Sequence, residues 1–177
     1  MDRVEYLQAK EFIYTDIQKE INLAKASENI IKKIILKIII KYPGGANFMS
    51  ALSLLCYTEA AGKIITQKDT PQVNFEIFFK LLGIEYENFL QKHPKTYNIF
   101  RCGLAHEYYV KKNCPIYMLS DILTCGIGQD SNNKYFFVVE HYFRDFKNAF
   151  DKLLGNHVEI SGPVNSIGAT SLSVQRY

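Results

Sequence analysis

The sequence predicts a mainly α-helical protein with a small β-hairpin inserted before the last helix. Apolar residues recur at helical spacing over most of the 177-residue chain, and this spacing changes to a strand-like one between Cys114 and Glu140. Hydrophobic residues make up 47% of the chain and charged residues 22%, as in globular proteins. This length is most simply one domain, so we assign residues 1–155 to a single helical domain. Residues 156–177 are rich in Ser, Gly, Asn and Thr and are predicted to form a C-terminal tail or arm.

Two helices are predicted before the first turn signal. Residues 6–25 place Ile13, Ile17 and Ile21 on one face at the helical interval. Residues 30–41 also read as a helix, although their many β-branched side chains leave a strand as the alternative. The sequence Pro43-Gly44-Gly45 ends this segment.

The third predicted helix spans residues 48–65, with Asn47 as its N-cap. Its apolar stripe contains one carboxylate, Glu59, whose burial requires a partner. Either Glu59 faces a polar site and holds Arg101 or His106, or the helix rotates so that Glu59 reaches solvent or caps a backbone group.

Shorter helices follow after a polar loop at 67–73. Residues 74–82 form one, ended by Gly83, and 84–91 form one or two further turns. His93-Pro94 begins the next helix, which carries Arg101 and His106. The aromatic residues of this region repeat at helical spacing and are assigned to the core.

The predicted hairpin spans about 116–140. Residues 116–127 and 135–140 look extended, and the Gly- and Asn-containing stretch between them is expected to form the turn. Residues 141–154 return to helical spacing, and this last helix is expected to end at Gly155.

Positive charge is concentrated in one segment. Residues 91–113 contain five cations and one acid, which is +4, so the rest of the chain sums to −1 against a total of +3. Such a concentration of cations is typical of a surface that binds an anionic partner such as RNA, and equally of a helix face exposed to solvent.

The cysteines indicate neither a metal site nor a disulfide framework. The four stand at positions 56, 102, 114 and 125, with no CxxC pair and no histidine at a ligand offset. We therefore expect reduced thiols in a cytoplasmic protein, with no metal and no cofactor. The charged N-terminus does not resemble a signal peptide, and the apolar run at 34–40 is too short to span a bilayer.

The stretch from Phe100 to Tyr109 carries most of the functional information. Arginine offers a planar fork of donors that fits a phosphate, and histidine can act as general base and general acid. Together they can cleave RNA without a metal: a base deprotonates the ribose 2′-OH, which attacks phosphorus, and an acid protonates the leaving 5′-oxygen. On an ideal helix, Arg101 and His106 lie about 140° apart. Local distortion at Gly103, or a dimer with facing helices, would bring the two groups to one cleft.

The sequence Arg101-Cys-Gly-Leu-Ala-His106 resembles the Rx4–6H signature of HEPN domains. This resemblance implies an up-down helical bundle, a homodimer, and either a metal-independent endoribonuclease or a non-catalytic module that binds nucleotides or proteins. Endoribonucleases of this kind occur in toxin–antitoxin systems, so an antitoxin is a further expected partner. The residue after the arginine is commonly polar in active members, whereas here it is Cys102.

The candidate site residues follow from this resemblance and from the neighbouring sequence. Arg101 and His106 are carried over as the catalytic pair. The supporting residues are Glu59, Cys102, Glu107 and Tyr108, and the nucleic-acid-binding residues are Lys95, Tyr109, Lys111 and Lys112. The alternative is structural: Arg101 pairs with Glu59 to tie the helices together, and His106 caps the end of its helix.

Overall fold

The computed structural model describes residues 3–28, 46–107 and 114–160. The described part of the chain is mainly helical with a small sheet, which confirms the predicted helical character. The helices are α1 (Arg3–Glu28), α2 (Asn47–Thr66), α3 (Pro71–Leu81), α4 (Ile84–Lys92), a π-helix (Tyr97–Cys102), α5 (Gly103–Glu107) and α6 (Val139–Ile160), and the strands are β1 (Ile116–Tyr117), β2 (Ile127–Gln129) and β3 (Tyr135–Val138). The predicted helix at 30–41 and the tail beyond residue 160 lie outside the described residues.

The core is built around α2 and the aromatic face of α6. Thr58 on α2 is fully buried and donates its only hydroxyl proton to the Leu54 carbonyl at 2.8 Å. The Tyr142 hydroxyl, 2.8 Å away, must therefore donate to Thr58. The rings of Phe79 and Tyr86 contact the Tyr142 ring. The same core contains further aromatic residues of α3 and α6, namely Phe75, Phe78, Phe146 and Phe150.

Helices α2 and α3 approach each other closely at Gly62. A Cβ atom at this position would lie 1.7 Å from the carbonyl oxygen of Asn74. Asn74 is buried and holds the connecting loop: its Nδ2 donates to Lys68 O at 2.9 Å, and its Oδ1 accepts from Thr66 at 2.5 Å. The close approach of α2 and α3 therefore requires glycine at position 62, and the hydrogen bonds of the Asn74 amide fix the loop between the helices.

Helix α2 is also the one helix in the described ranges that is long and apolar enough to cross a bilayer. Its mean hydropathy over an 18-residue window is 1.2, and 44% of that window is buried inside the protein. Since its apolar side chains supply much of the core, length and composition are weak evidence for a membrane span.

The predicted hairpin is corrected to a three-stranded sheet with the order β1-β3-β2. Strands β2 and β3 form the antiparallel hairpin, with Ile127 opposite Phe137, whereas β1 pairs with β3 in parallel. The turn is shorter than predicted, because Asp130 Oδ1 accepts hydrogen bonds from the Asn132 and Lys134 amides at 2.8 and 2.9 Å. Residues 118–126 are a connection rather than a strand.

Several helix ends differ from the sequence-based boundaries. Asn47 lies inside the first turn of α2 and donates to the Ile116 carbonyl at 3.1 Å, so it is not the N-cap. Pro71 begins α3 instead of lying in a loop, as proline's fixed φ allows. Helix α6 begins at Val139 and continues past Gly155 to Ile160.

Helices α1 and α6 lie antiparallel. Lys25 near the end of α1 pairs with Glu140 at the start of α6, and Lys10 pairs with Asp151, about three turns further along α6, at 2.8 Å. Tyr14 lies between these pairs and donates a hydrogen bond to Asp151 at 2.8 Å. The predicted stripe of Ile13, Ile17 and Ile21 is buried beneath them.

Candidate functional site

Arg101 lies in a π-helical turn, not in a regular α-helix. The π-helix covers Tyr97–Cys102, and α-helical geometry resumes at Gly103. A π-turn rotates less per residue than an α-turn, so it reduces the angle between Arg101 and His106 below the ideal-helix value. The turn is anchored from beneath by Ile99 and Phe100, which are buried. The expected local distortion is therefore present, immediately before Gly103.

Glu59 is the partner of Arg101. Arg101 Nε lies 2.9 Å from Glu59 Oε2, and the two side chains are 21% and 22% exposed. The Nε–H does not point at that oxygen and has no hydrogen-bond acceptor among the described residues, so the contact is an ion pair without an aligned hydrogen bond. Tyr97 donates to the same Oε2 at 3.3 Å. Glu59 therefore pairs with Arg101, a contact that both the polar-site interpretation and the structural alternative predict.

The pKa values around the pair reflect burial and charge. Burial lowers the pKa of Arg101, but Cys56, Glu59 and Tyr97 more than offset this, and the net pKa is raised. Burial and the Glu59 carboxylate raise the pKa of Tyr97 to about 12. Burial also raises the pKa of Cys56, although Arg101 opposes the shift. At neutral pH the site therefore holds a charged guanidinium beside a neutral phenol and a neutral thiol.

Cys56 and Tyr97 join the site although neither was a predicted site residue. Cys56 stands one turn before Glu59 on α2, and Tyr97 one turn before Arg101. Spacing of three or four residues on a helix places side chains on one face, and this is the signal that would have found them. Cys102, which follows Arg101, is half-buried.

His106 is exposed to solvent on α5. No hydrogen bond joins its imidazole to Arg101, and both side chains belong to the described part of the chain. Lys95 is also exposed, in the turn before the π-helix. Tyr108, Tyr109, Lys111 and Lys112 lie outside the described residues, as does the side chain of Glu107. The structure thus joins Arg101 to Glu59 and leaves His106 accessible.

A cavity of about 410 Å³ lies elsewhere, between α1 and α6. The sequence-based site did not include any of its residues. The relevant signal is the helical spacing of polar residues 140, 144 and 147 along one side of α6, next to Phe143. From sequence alone, the same spacing is typical of a solvated surface.

Comparison with known proteins adds no family assignment. No protein-family model matches the chain, and neither a curated protein nor a solved structure is significantly similar to it.

Proposed function

We propose that this chain is a HEPN-like, metal-independent endoribonuclease whose site is formed by Arg101 and His106. One observation carries the proposal: a guanidinium lies in an ion pair with Glu59 at its Nε, while an accessible imidazole follows five residues later. The terminal nitrogens of Arg101 have no hydrogen-bond acceptor among the described residues. These nitrogens are the donors that the proposal assigns to a ligand phosphate.

The proposed chemistry assigns one task to each group. The arginine contacts the non-bridging oxygens of the scissile phosphate and stabilises the charge that develops there. One imidazole removes the proton of the ribose 2′-OH, and the 2′-oxygen forms a bond to phosphorus. A second imidazole donates a proton to the 5′-oxygen as the P–O5′ bond breaks. The products are a 2′,3′-cyclic phosphate and a 5′-hydroxyl.

Because each chain offers one His106, the proposed enzyme is a homodimer in which the partner's His106 supplies the second imidazole. The basic segment 91–113 then draws RNA to the cleft from both chains. Such an enzyme acts on cytoplasmic RNA, and an antitoxin that covers His106 would restrain it.

A second function is favoured by the Arg101–Glu59 ion pair itself. Glu59 already neutralises the guanidinium, and Cys102 replaces the polar residue found in active members of the family. Both features suit a non-catalytic helical module that binds a nucleotide or a protein without cleaving RNA.

The test is incubation of the purified protein with mixed RNA in EDTA. The endoribonuclease is expected to yield fragments ending in 2′,3′-cyclic phosphate, and His106→Ala is expected to reduce the rate at least about 100-fold. A substrate with 2′-deoxyribose throughout should remain intact. Thermal unfolding of His106→Ala controls for folding, since an exposed side chain contributes little to stability.

A mixing experiment tests the shared site. Co-refolding wild-type chains with an excess of His106→Ala chains is expected to lower the activity below that of the equally diluted wild type, because a mixed dimer, whose fraction is measured by light scattering, offers one imidazole instead of two. Intact RNA at high wild-type concentration contradicts cleavage. If RNA or nucleotide binding then persists and is lost in Arg101→Ala, the non-catalytic module is supported.

A further inference from the structure

The cavity between α1 and α6 has the build of a small-molecule site. Its volume, about 410 Å³, lies in the range of ligand pockets. Its floor is apolar, formed by the buried side chains of Ile21 and Phe143. Its rim is polar and includes the amides of Gln18 and Asn148. An apolar floor with a few convergent polar groups is the usual design of a site for a compact organic ligand.

Two rim residues are held in fixed positions. Arg144 pairs with Asp145 through Nε at 2.9 Å and through Nη2 at 3.3 Å. Its Nη1 donates to His141 Nδ1 at 3.3 Å, so His141 carries its proton on Nε2 and donates it to the Ser120 carbonyl at 2.8 Å. The guanidinium is thus oriented before any ligand binds.

Lys147 supplies the uncompensated charge of this cavity. The lining contains three cations, Lys25, Arg144 and Lys147, and one acid, Glu140. Glu140 neutralises Lys25, and Asp145, outside the lining, neutralises Arg144. The sum of three positive and two negative charges is +1.

The charge of Lys147 remains available to a ligand. Its ammonium lies 5.2 Å from the ring centroid of Tyr14 and 5.5 Å from that of Phe143, and it forms no ion pair with a carboxylate among the described residues. Contacts with aromatic faces orient a cation without cancelling its charge.

We propose that the α1–α6 cavity binds a small phosphorylated ligand of nucleotide size, with its phosphate on Lys147 and Arg144 and its organic part in the remaining volume of the cavity. The excess positive charge selects an anion, and the amide groups offer further donors to phosphate oxygens. The volume is larger than a bare phosphate requires, so the cavity has room for the organic part of the ligand, while Ile21 and Phe143, which are 1% and 3% exposed, close its floor. This site is independent of Arg101 and His106.

Isothermal titration calorimetry of the full chain with adenosine monophosphate tests the proposal. We expect a dissociation constant of about 1 mM or below, and at least about tenfold weaker binding of both adenosine and inorganic phosphate. No binding of the nucleotide, or equal affinity for adenosine, overturns the proposal. Equal affinity for inorganic phosphate contradicts a contribution of the organic part of the ligand to binding.

Two variants locate the binding. Lys147→Glu is expected to weaken binding at least about tenfold, and Asn148→Asp, which adds a rim carboxylate without a change in volume, at least about fivefold. Asn148 is exposed, so this variant folds even where Lys147→Glu does not. Lys152→Glu makes the same charge change on an exposed residue of α6 outside the lining and should leave affinity unchanged. An equal loss in Lys152→Glu assigns the effect to net charge and overturns the site.

The result is separable from the proposed endoribonuclease. His106→Ala should bind adenosine monophosphate as tightly as the wild type. Loss of binding in that variant places the nucleotide at Arg101–His106 and contradicts the α1–α6 site.

Discussion

Glu59 and Arg101 are coupled more strongly than an exposed ion pair. Each side chain is about one-fifth exposed, so solvent screens the charges only in part. We expect Glu59→Gln and Arg101→Gln each to lower the free energy of unfolding by about 1–2 kcal/mol, and the double variant to lower it by less than their sum. Urea unfolding of the four proteins measures the coupling, with an expected value of about 1 kcal/mol.

The pair Lys63–Asp69 is the matched control for this double-mutant cycle, which compares the wild type, the two single variants and the double variant. Its side chains are 57% and 88% exposed, so the coupling between Lys63→Gln and Asp69→Asn should not exceed about 0.5 kcal/mol. Equal coupling in both cycles would show that burial adds nothing to the Glu59–Arg101 contact. The Arg101 interaction would then be no stronger than a surface contact.

Two half-buried thiols provide a second prediction at the residue scale. Burial raises the pKa of Cys114 to about 12 and that of Cys125 to about 11. The thiolate is the reactive form, so at pH 8 only about one Cys114 side chain in 10,000 is ionised. We expect iodoacetamide to modify both residues slowly at pH 8 and faster as the pH approaches 11, as measured by peptide mass spectrometry. In guanidinium chloride all four cysteines should react alike; rapid labelling of native Cys114 would contradict its burial.

At the scale of elements, the contact between α2 and α3 is set by the absence of a side chain. Alanine is a better helix former than glycine by about 1 kcal/mol, so helix propensity favours Gly62→Ala. The new Cβ would overlap the Asn74 carbonyl oxygen at 1.7 Å, however, and the helices must separate. We expect Gly62→Ala to lower the free energy of unfolding by about 3 kcal/mol or more, measured by urea denaturation.

Gly155 on α6 is the control for this substitution. It is exposed, lies inside the helix, and has no atom within 4 Å of an added Cβ. Gly155→Ala should therefore be neutral or stabilising by up to about 1 kcal/mol. A destabilisation as large as that of Gly62→Ala would mean that helix interiors respond alike, irrespective of the neighbouring helix.

At the scale of the whole molecule, buried tyrosines make stability depend on alkaline pH. Tyr86 and Tyr142 are 2% and 0% exposed, and burial raises the pKa of each well above its ordinary value. Above pH 10 the unfolded chain loses these protons while the folded chain keeps them. The stabilisation is complete below pH 10 and is lost as the pH rises further, by about 1.4 kcal/mol per pH unit for each tyrosine.

The free energy of unfolding measured from pH 8 to 11 checks this expectation. It should begin to fall at about pH 8.5 to 9, where the cysteines of the unfolded chain ionise while Cys114 and Cys125 stay protonated in the folded chain, and fall more steeply above about pH 10 as the tyrosines contribute. Tyr142→Phe removes one ionising group, so its curve should begin lower but fall less steeply. A slope identical to that of the wild type would show that Tyr142 ionises in the folded state.

The helical character of this protein was readable from the sequence. The spacing of Ile13, Ile17 and Ile21 predicts the face of α1 that is buried, because residues three or four apart share one side of a helix. The Arg101–His106 stretch was identified by its residue types and spacing, and Glu59 by its position within an apolar helical stripe. It could not choose between partners for Glu59, since the ion pair joins residues 42 positions apart in the chain.

Only the tertiary structure decided the contacts between distant segments. The parallel pairing of β1 with β3, the close approach at Gly62 and the cavity between α1 and α6 all depend on where separate elements pack. Local signals also misplaced some ends, such as Gly155, where packing of the apolar face of α6 keeps the helix intact despite the glycine. Periodicity specifies which face of an element is apolar, whereas the partner of that face is set by the free energy of packing the whole chain.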